Sequence, residues 1–262
     1  MPESLRWRYL LFEGHPALEQ TLQWSAIGAL FGTLLGIYPR VSSAIAGVLL
    51  YHLAPLESII WTASPYARGL TLAPAALIVL ACSRSGDRLA VTRERRAQLS
   101  TQPTASWGHG WPLRLIQLLV CQIYLFAAYG KLMQTGLSWS SADNMRRWFL
   151  LFNLDDRVSV FRLPGLWLAD RPAICLAIGV GAVLLEWSFI LALLRRGARV
   201  WLVPLALAFH VGILVTMNIH VGEAWLILLF VDWEWVRHRW TVLTATRLGI
   251  ASPASKPTGA PA

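Results

Sequence analysis

The residues of this chain that could carry chemistry lie inside apolar segments, and four of them share a five-residue stripe. The stripe consists of Gln117, Cys121, Tyr124, Ala128 and Lys131. These residues are spaced alternately by four and three positions, which keeps them on one face of an α-helix. A stripe with an amide, a phenol and an amine is expected to face the interior of a helical bundle rather than lipid.

Lys131 is the most informative member of the stripe. Lysine occurs only twice among the 23 basic residues, and the other, Lys256, lies in a Pro- and Ala-rich tail. Unlike arginine, a desolvated lysine can lose its proton and then act as a general base or nucleophile. The alternative is that Lys131 lies near the end of its span and extends its ammonium to the lipid headgroups. The sequence leaves both interpretations open.

A carboxylate interrupts a second apolar segment, AICLAIGVGAVLLEWSFILALL, at Glu186. An isolated carboxylate inside a membrane-spanning helix is costly, so it needs a partner or a proton. One interpretation is an interhelical ion pair or hydrogen bond that holds the bundle together. The other is that Glu186 positions a substrate or tunes the basicity of Lys131.

A histidine lies in a third apolar segment, AFHVGILVTMNIHVGEAW. His210 and Met217 are seven residues apart and share a helix face, while Asn218, His220 and Glu223 follow at the outer end. A histidine inside a span commonly forms only a hydrogen bond between helices, so structural and catalytic roles are both open. No HxxxH or HExxH spacing occurs, and no metal site is predicted.

The sequence lacks the short motifs that mark several other chemistries. It has no GxSxG, P-loop or GxGxxG motif, which argues against hydrolases, NTPases and dinucleotide-binding enzymes. Its three cysteines form no CxxC pair. The net charge of +9 does not indicate nucleic-acid binding, because the basic residues gather between apolar runs and not on one soluble face.

Composition predicts that a lipid bilayer surrounds much of the chain. Of the 262 residues, 56% are hydrophobic and 14% are charged, against about 25% charged in soluble domains. We therefore expect an all-α fold, a polytopic transmembrane bundle with about seven spans and additional interfacial amphipathic helices. The predicted spans are 22–38, 41–61, 66–82, 113–133, 173–194, 200–217 and 222–236.

A single transmembrane domain is expected over residues 22–236. Residues 1–21 have the aromatic and basic side chains of an interfacial segment, and residues 237–262 form a basic and then disordered tail. Between the fourth and fifth spans, MRRWFLLF and VFRLPGLWL mix arginines with large apolar residues, which predicts helices lying at the membrane surface. The arginine-rich loops predict a cytoplasmic C-terminus.

The sequence around Lys131 resembles a known membrane family. IYLFAAYGKLMQTGLSW is similar to the tyrosine–alanine–glycine–lysine–tryptophan signature of the horizontally transferred transmembrane (HTTM) domain. That superfamily includes vitamin K-dependent gamma-carboxylase. LLEWSF and AFHVGILVTMNI resemble the glutamate-bearing and phenylalanine–histidine spans of the family, so the similarity extends over residues 22–236. The chain departs from the carboxylase at Ile213, where that enzyme has asparagine, and at His220, where it has glycine.

The resemblance implies a function for these residues. The family lysine deprotonates vitamin K hydroquinone, so Lys131 would be the base, with His210 and Glu186 as further catalytic residues. The residues predicted to bind substrate are Gln117, Tyr124, Trp139, Met217 and Asn218. The implied cofactor is a reduced quinone of the vitamin K type, and the implied location is a bacterial inner membrane. The expected partners are membrane lipid and a lipid-soluble small molecule or a secreted peptide, with no nucleic acid.

A function of another class also fits these residues. The protein could be a non-catalytic membrane factor in peptide maturation or export, or a small transporter, with Lys131, Glu186 and His210 as structural pairs or a proton path. The two classes require different geometry. An enzyme needs Lys131 beside a cavity that admits a ring, whereas a structural lysine lies at the headgroups or is tied tightly to Glu186.

Overall fold

The computed structural model describes residues 15–60, 72–84, 107–154, 162–219 and 221–247, and within them it contains helices and no strands. The α-helices are α1 (Pro16–Leu35), α2 (Pro39–Ile60), α3 (Leu72–Ala81), α4 (Trp107–Thr135), α5 (Ala142–Leu154), α6 (Arg162–Ala169), α7 (Pro172–Ser188), α8 (Ile190–Leu194), α9 (Arg196–Met217) and α10 (Trp233–Arg247). Two 3-10 helices, Gly136–Ser140 and Gly222–Phe230, follow α4 and α9. The predicted all-α class is confirmed for this part of the chain.

Three helical segments among the described residues are long and apolar enough to cross a membrane. They are Gly110–Ser140, Pro172–Leu194 and Arg196–Met217. The shortest has 22 residues, which at about 1.5 Å per residue matches the hydrocarbon thickness of roughly 30 Å. These segments contain the predicted spans 113–133, 173–194 and 200–217. Association with a membrane is therefore supported, while the predicted number of seven spans is not confirmed.

The first two predicted spans correspond to α1 and α2, which pack against each other. α1 ends three residues before the predicted limit of 22–38, because Gly36 adopts a left-handed conformation with φ of 69°. The Ile37 amide donates to the Gly32 carbonyl oxygen at 2.8 Å, as in a Schellman C-cap. Pro39 then begins α2, where the absence of a proline N–H is harmless.

The predicted seventh span, 222–236, is divided in the structure. Asp232 lies between the 3-10 helix and α10 and accepts a hydrogen bond from the Trp235 amide at 3.1 Å, so it caps α10. An acidic cap within the apolar run explains why one continuous helix does not form. α10 extends to Arg247, into a stretch that the sequence analysis assigned to the tail.

Other predicted boundaries fall partly outside the described residues. The third predicted span, 66–82, corresponds to the ten-residue helix α3, and its first six residues lie outside the described part. Residues 1–14 of the predicted interfacial segment also lie outside the described part, whereas residues 16–21 form the start of α1. The end of the predicted tail, 248–262, is also outside.

The main core lies where α4, α7, α8, α9 and the 3-10 helix after α9 meet. Its buried apolar side chains include Val120, Leu185, Phe189, Ala206 and Phe230. A second cluster joins α5 and α6 to α7 through Met145, Phe149, Ala169 and Cys175. Because α7 contributes to both clusters, it holds the stripe-bearing α4 and the amphipathic α5 in fixed positions.

Candidate functional site

The polar stripe on α4 faces the protein interior, as its spacing predicted. Its buried members are Gln117, Cys121, Tyr124 and Ala128. The side chain of Lys131, at the end of the stripe, is 19% exposed. Gln122 and Tyr129, which lie off the stripe, are exposed. α4 therefore turns one polar face toward its neighbouring helices and an apolar face away from them.

Lys131 and Glu186 meet between α4 and α7. The Lys131 ammonium donates a hydrogen bond to Glu186 Oε1 and forms an ion pair with it. The Glu186 side chain is only 7% exposed, and its second oxygen, Oε2, is buried without a hydrogen-bond partner among the described residues. This contact directs the Lys131 side chain toward α7. A buried carboxylate of this kind requires the lysine beside it.

Trp139 completes the surroundings of the Lys131 ammonium. The nitrogen lies 4.2 Å from the centroid of the Trp139 ring, within the range of a cation–π interaction. Trp139 lies on the 3-10 helix that follows α4. The chain turns at Gly136, whose φ of 59° is left-handed and suits glycine, and this turn returns the indole toward Lys131. The predicted substrate-binding residue Trp139 thus contacts the predicted base.

Tyr124 and His210 form a second polar pair, between α4 and α9. The Tyr124 hydroxyl and His210 Nε2 are 2.6 Å apart, and the tautomer of the histidine decides which of them donates. The Tyr124 ring stacks on Phe189 at a centroid distance of 4.3 Å. His210 Nδ1 is buried and has no hydrogen-bond partner among the described residues. His210 is thus held by α4 through Nε2, while Nδ1 forms no hydrogen bond with the described residues.

Gln117 forms the third contact of the stripe. Its amide nitrogen donates to the Leu229 carbonyl oxygen at 2.8 Å, which fastens the 3-10 helix after α9 to α4. The 3-10 helix has carbonyl groups that its own hydrogen bonds leave unpaired, so a side-chain donor stabilises it. Gln117, predicted to bind substrate, therefore has its amide nitrogen engaged with the backbone.

The three contacts lie at separate levels along α4. Gln117, Tyr124 and Lys131 are seven residues apart, and each step of seven corresponds to about 10.5 Å along the helix axis. The partners at these levels are a backbone carbonyl, a histidine and a carboxylate. The structure therefore does not gather the predicted residues into one cluster. It divides them into a Lys131–Glu186–Trp139 group, a Tyr124–His210 pair and a Gln117 contact.

Met217 and Asn218 lie at the C-terminal end of α9. Met217 packs against the second apolar cluster, which Trp139 also contacts. Asn218 is buried and ends α9 in a left-handed conformation with φ of 54°, a geometry that asparagine tolerates better than most residues. Its amide donates to the Leu214 carbonyl oxygen at 3.0 Å. These contacts give both residues a defined role in packing and in ending the helix.

Asn153 is a buried polar residue that the sequence analysis did not select. Its amide nitrogen lies 2.7 Å from the carbonyl oxygens of both Phe149 and Thr216, which joins α5 to α9. Its Oδ1 is buried without a hydrogen-bond partner in the described part of the chain. The available signal was spacing, because Met145, Phe149 and Asn153 recur every four residues on the inner face of α5.

Glu223 has a role that the sequence did not indicate. Its Oε1 accepts hydrogen bonds from the amides of Leu72 and Ala73, both at 2.9 Å, and thereby caps the start of α3. Burial raises the pKa of Glu223, which lies outside the three candidate spans, while the two amides oppose that rise. His220, the other polar residue noted in this region, lies outside the described residues.

Comparison with known proteins gives no matching family model, no matching curated protein and no matching solved structure. The likeness to the HTTM family therefore stays a prediction that rests on three short motifs.

Proposed function

We propose that the protein is a membrane enzyme in which Lys131 accepts a proton from a weakly acidic, lipid-soluble molecule such as a reduced quinone. The observation that supports this proposal is Glu186 Oε2, which is buried beside Lys131 and lacks a hydrogen-bond partner among the described residues, whereas the direct Lys131–Glu186 contact also fits a structural pair. The Lys131 amine is the candidate base, and Glu186 Oε2 is a buried acceptor to which no described residue donates a hydrogen bond. The Lys131 side chain is 19% exposed, so it is less deeply buried than Glu186.

The chemistry requires a neutral amine at the moment of proton transfer. In surroundings of low dielectric constant, a lysine–glutamate pair can neutralise itself when one proton moves from the ammonium to the carboxylate. The neutral Lys131 amine then accepts the proton of a substrate hydroxyl, and Trp139 and Glu186 lie beside the ammonium that forms. The deprotonated quinol gives two electrons and its remaining hydroxyl proton to oxygen, and the proton held by Lys131 completes the reaction, so the products are a quinone and hydrogen peroxide and the amine is again neutral.

A second candidate is a non-catalytic membrane factor or transporter, and the same contact favours it. The Lys131 ammonium already has a carboxylate and an aromatic ring as partners, which is sufficient for a structural ion pair. Under this second function, the pair holds α4 to α7 or relays protons across the bilayer. Seven spans and a cytoplasmic C-terminus in a bacterial inner membrane belong to both proposals.

Oxygen consumption by the purified protein in lipid nanodiscs distinguishes the two functions. Reduced benzoquinones and naphthoquinones with isoprenoid tails serve as substrates, and the variants are Lys131→Arg and Lys131→Met. Lys131→Arg retains a cation for Glu186 but cannot provide a neutral base, because arginine stays protonated. An enzyme loses quinol oxidation in both variants. Equal oxidation by wild type and Lys131→Arg for every quinol, or none by either, contradicts the enzymatic function.

A further inference from the structure

A surface groove lies on α5, and its described lining residues are not those of the candidate site. The groove has a volume of about 520 Å³, and the lining residues that the structure describes are Asp143, Arg146, Arg147, Leu150 and Leu151. These five residues belong to α5, so this helix provides the described wall of the groove.

The two arginines of the groove are free to bind a ligand. Both Arg146 and Arg147 are exposed, and neither forms a hydrogen bond or an ion pair within the part of the chain that the structure describes. Asp143 is three and four residues away, a spacing at which charged pairs commonly form on a helix. No such pair is present, so none of the ten N–H donors of the two exposed guanidinium groups is used by the residues that the structure describes.

The inner face of α5 fixes the direction of this arginine-bearing face. Met145, Phe149 and Asn153 are buried at successive intervals of four residues and pack toward the protein. Leu151, on the groove side, is 59% exposed. The outer face of α5 thus combines charged arginines with exposed leucines, opposite a buried inner face. That combination is typical of helices that lie in the interface of a bilayer.

The position of α5 along the chain agrees with an interfacial location. α5 begins two residues after the candidate span Gly110–Ser140 ends, and the next candidate span begins at Pro172, after α6. A Cβ atom on Gly179 would lie 3.0 Å from Met145 Cγ, so α5 contacts α7 about 10 Å from the start of that span. An amphipathic helix typically enters the headgroup and acyl boundary to a depth of about 5–10 Å.

We propose that this groove binds the headgroup phosphate of an anionic phospholipid. The planar guanidinium groups of Arg146 and Arg147 match the oxygens of a phosphodiester, while Leu150 and Leu151 contact the glycerol and the first methylenes of the acyl chains. With Asp143 included, the groove has one positive charge in excess, which favours an anionic lipid over a zwitterionic one. The proposal is independent of the reaction at Lys131.

Native mass spectrometry of the full-length protein, released from detergent micelles, tests the groove. The probes are dioleoylphosphatidylglycerol, dioleoylphosphatidylcholine and inorganic phosphate, and the measured quantity is the apparent Kd of the first bound molecule. We expect tighter binding of phosphatidylglycerol than of phosphatidylcholine, and weak binding of inorganic phosphate. The double variant Arg146→Gln/Arg147→Gln should lose on the order of tenfold or more in affinity for phosphatidylglycerol.

Two control variants separate the groove from general charge effects. Arg195→Gln/Arg196→Gln removes the same charge from two exposed arginines at the junction of α8 and α9, and should leave the apparent Kd unchanged. Asp143→Asn removes the acidic residue of the groove and should tighten phosphatidylglycerol binding. If the arginine variant does not fold, as judged by its melting temperature in phosphatidylcholine micelles, the Asp143→Asn result decides alone.

Three results would overturn the proposal. The first is equal affinity of the wild-type protein for phosphatidylglycerol and phosphatidylcholine. The second is an unchanged Kd for phosphatidylglycerol in the folded Arg146→Gln/Arg147→Gln variant, because the lipid would then bind elsewhere. If that variant does not fold, an unchanged Kd in Asp143→Asn has the same meaning. The third is an affinity for inorganic phosphate equal to that for phosphatidylglycerol, which would indicate a site for free anions and not for a lipid.

Discussion

Lys131 on α4 and Glu186 on α7 are separated by 55 positions in the sequence, and their side chains meet directly inside the bundle. Moving either charge from water to a protein interior costs several kcal/mol when it has no partner. Each of these two charges is therefore tolerated because the other is present. The burial of each charge therefore depends on the packing of α4 against α7, whatever reaction takes place there.

The first prediction concerns the stability of variants at this pair. Lys131→Met leaves the Glu186 carboxylate without its cation and should reduce the free energy of unfolding by about 3 kcal/mol or more. Glu186→Gln should have a similar cost, because the ammonium then lacks its counter-charge. The double variant should cost clearly less than the sum of the two single changes. Unfolding in mixed micelles, followed by circular dichroism, provides the comparison.

Additive costs in this double-variant cycle would show that the two side chains do not depend on each other. A useful control is Lys131→Arg, which retains a cation opposite Glu186. It should cost less than Lys131→Met, since the carboxylate keeps a charged partner. If the two variants were equally unstable, packing around the lysine stem and not its charge would explain the loss.

The second prediction concerns the hydrogen bond between Tyr124 and His210. Tyr124→Phe keeps the ring stacked on Phe189 but removes the hydroxyl 2.6 Å from His210 Nε2. Leaving that buried nitrogen unpaired should reduce the free energy of unfolding by about 1–3 kcal/mol. The melting temperature should fall accordingly. Tyr129→Phe, on the exposed side of the same helix, is the matched control and should change stability by less than about 0.5 kcal/mol.

The sequence predicted which face of α4 is buried, because helical spacing determines which residues share a face. It did not predict that Gln117, Tyr124 and Lys131 would have separate partners. Those partners come from segments far along the chain, and no local pattern specifies which carbonyl or imidazole lies opposite each position. For the same reason, the cap that Glu223 provides to α3 could not be read from the residues around Glu223.

The third prediction compares two glycines on α7. A Cβ on Gly179 would lie 2.7 Å from the Ser140 carbonyl oxygen, whereas a Cβ on Gly181 would have no atom within 4 Å. Gly179→Ala should therefore reduce the free energy of unfolding by about 1–3 kcal/mol through overpacking. Gly181→Ala should be neutral or slightly stabilising, since alanine favours helices over glycine. Equal melting temperatures for the two variants would exclude a close approach of the backbone at Ser140.

The fourth prediction concerns the carboxylate that caps α3. Glu223→Ala removes the acceptor for the Leu72 and Ala73 amides and should cost about 0.5–2 kcal/mol. Glu223→Gln keeps an acceptor oxygen without a charge, so it should be tolerated better. Melting temperatures of the three proteins at neutral pH give this ranking.

The same carboxylate should also make stability depend on pH. Burial raises the pKa of Glu223 in the folded protein above its value in the unfolded chain, although the Ala73 and Leu72 amides partly oppose the shift. The part of its contribution that depends on the bound proton is then fully present below the unfolded pKa of about 4.3 and is lost as the pH rises through the folded value. The melting temperature of Glu223→Gln relative to wild type should therefore increase over that range. A relative decrease would mean that the two amides outweigh burial.

The limits of the predicted spans show a similar division between local and distant causes. The C-terminal ends of α4 and α9 lie within two residues of the predicted limits, whereas α4 begins six residues and α9 four residues before them. The seventh predicted span was divided because one carboxylate, Asp232, accepts the Trp235 amide and starts a new helix. Mean hydropathy over a window does not register a single capping residue, so this break was not predicted.

Translation produces the lysine-bearing α4 before the glutamate-bearing α7, since ribosomes make a chain from its N-terminus. When the Glu186 segment is synthesised, the Lys131 segment that pairs with it has already been made. The lysine lacks this partner while 55 further residues are added. The contact between α4 and α7 therefore forms only after the later helix has been made.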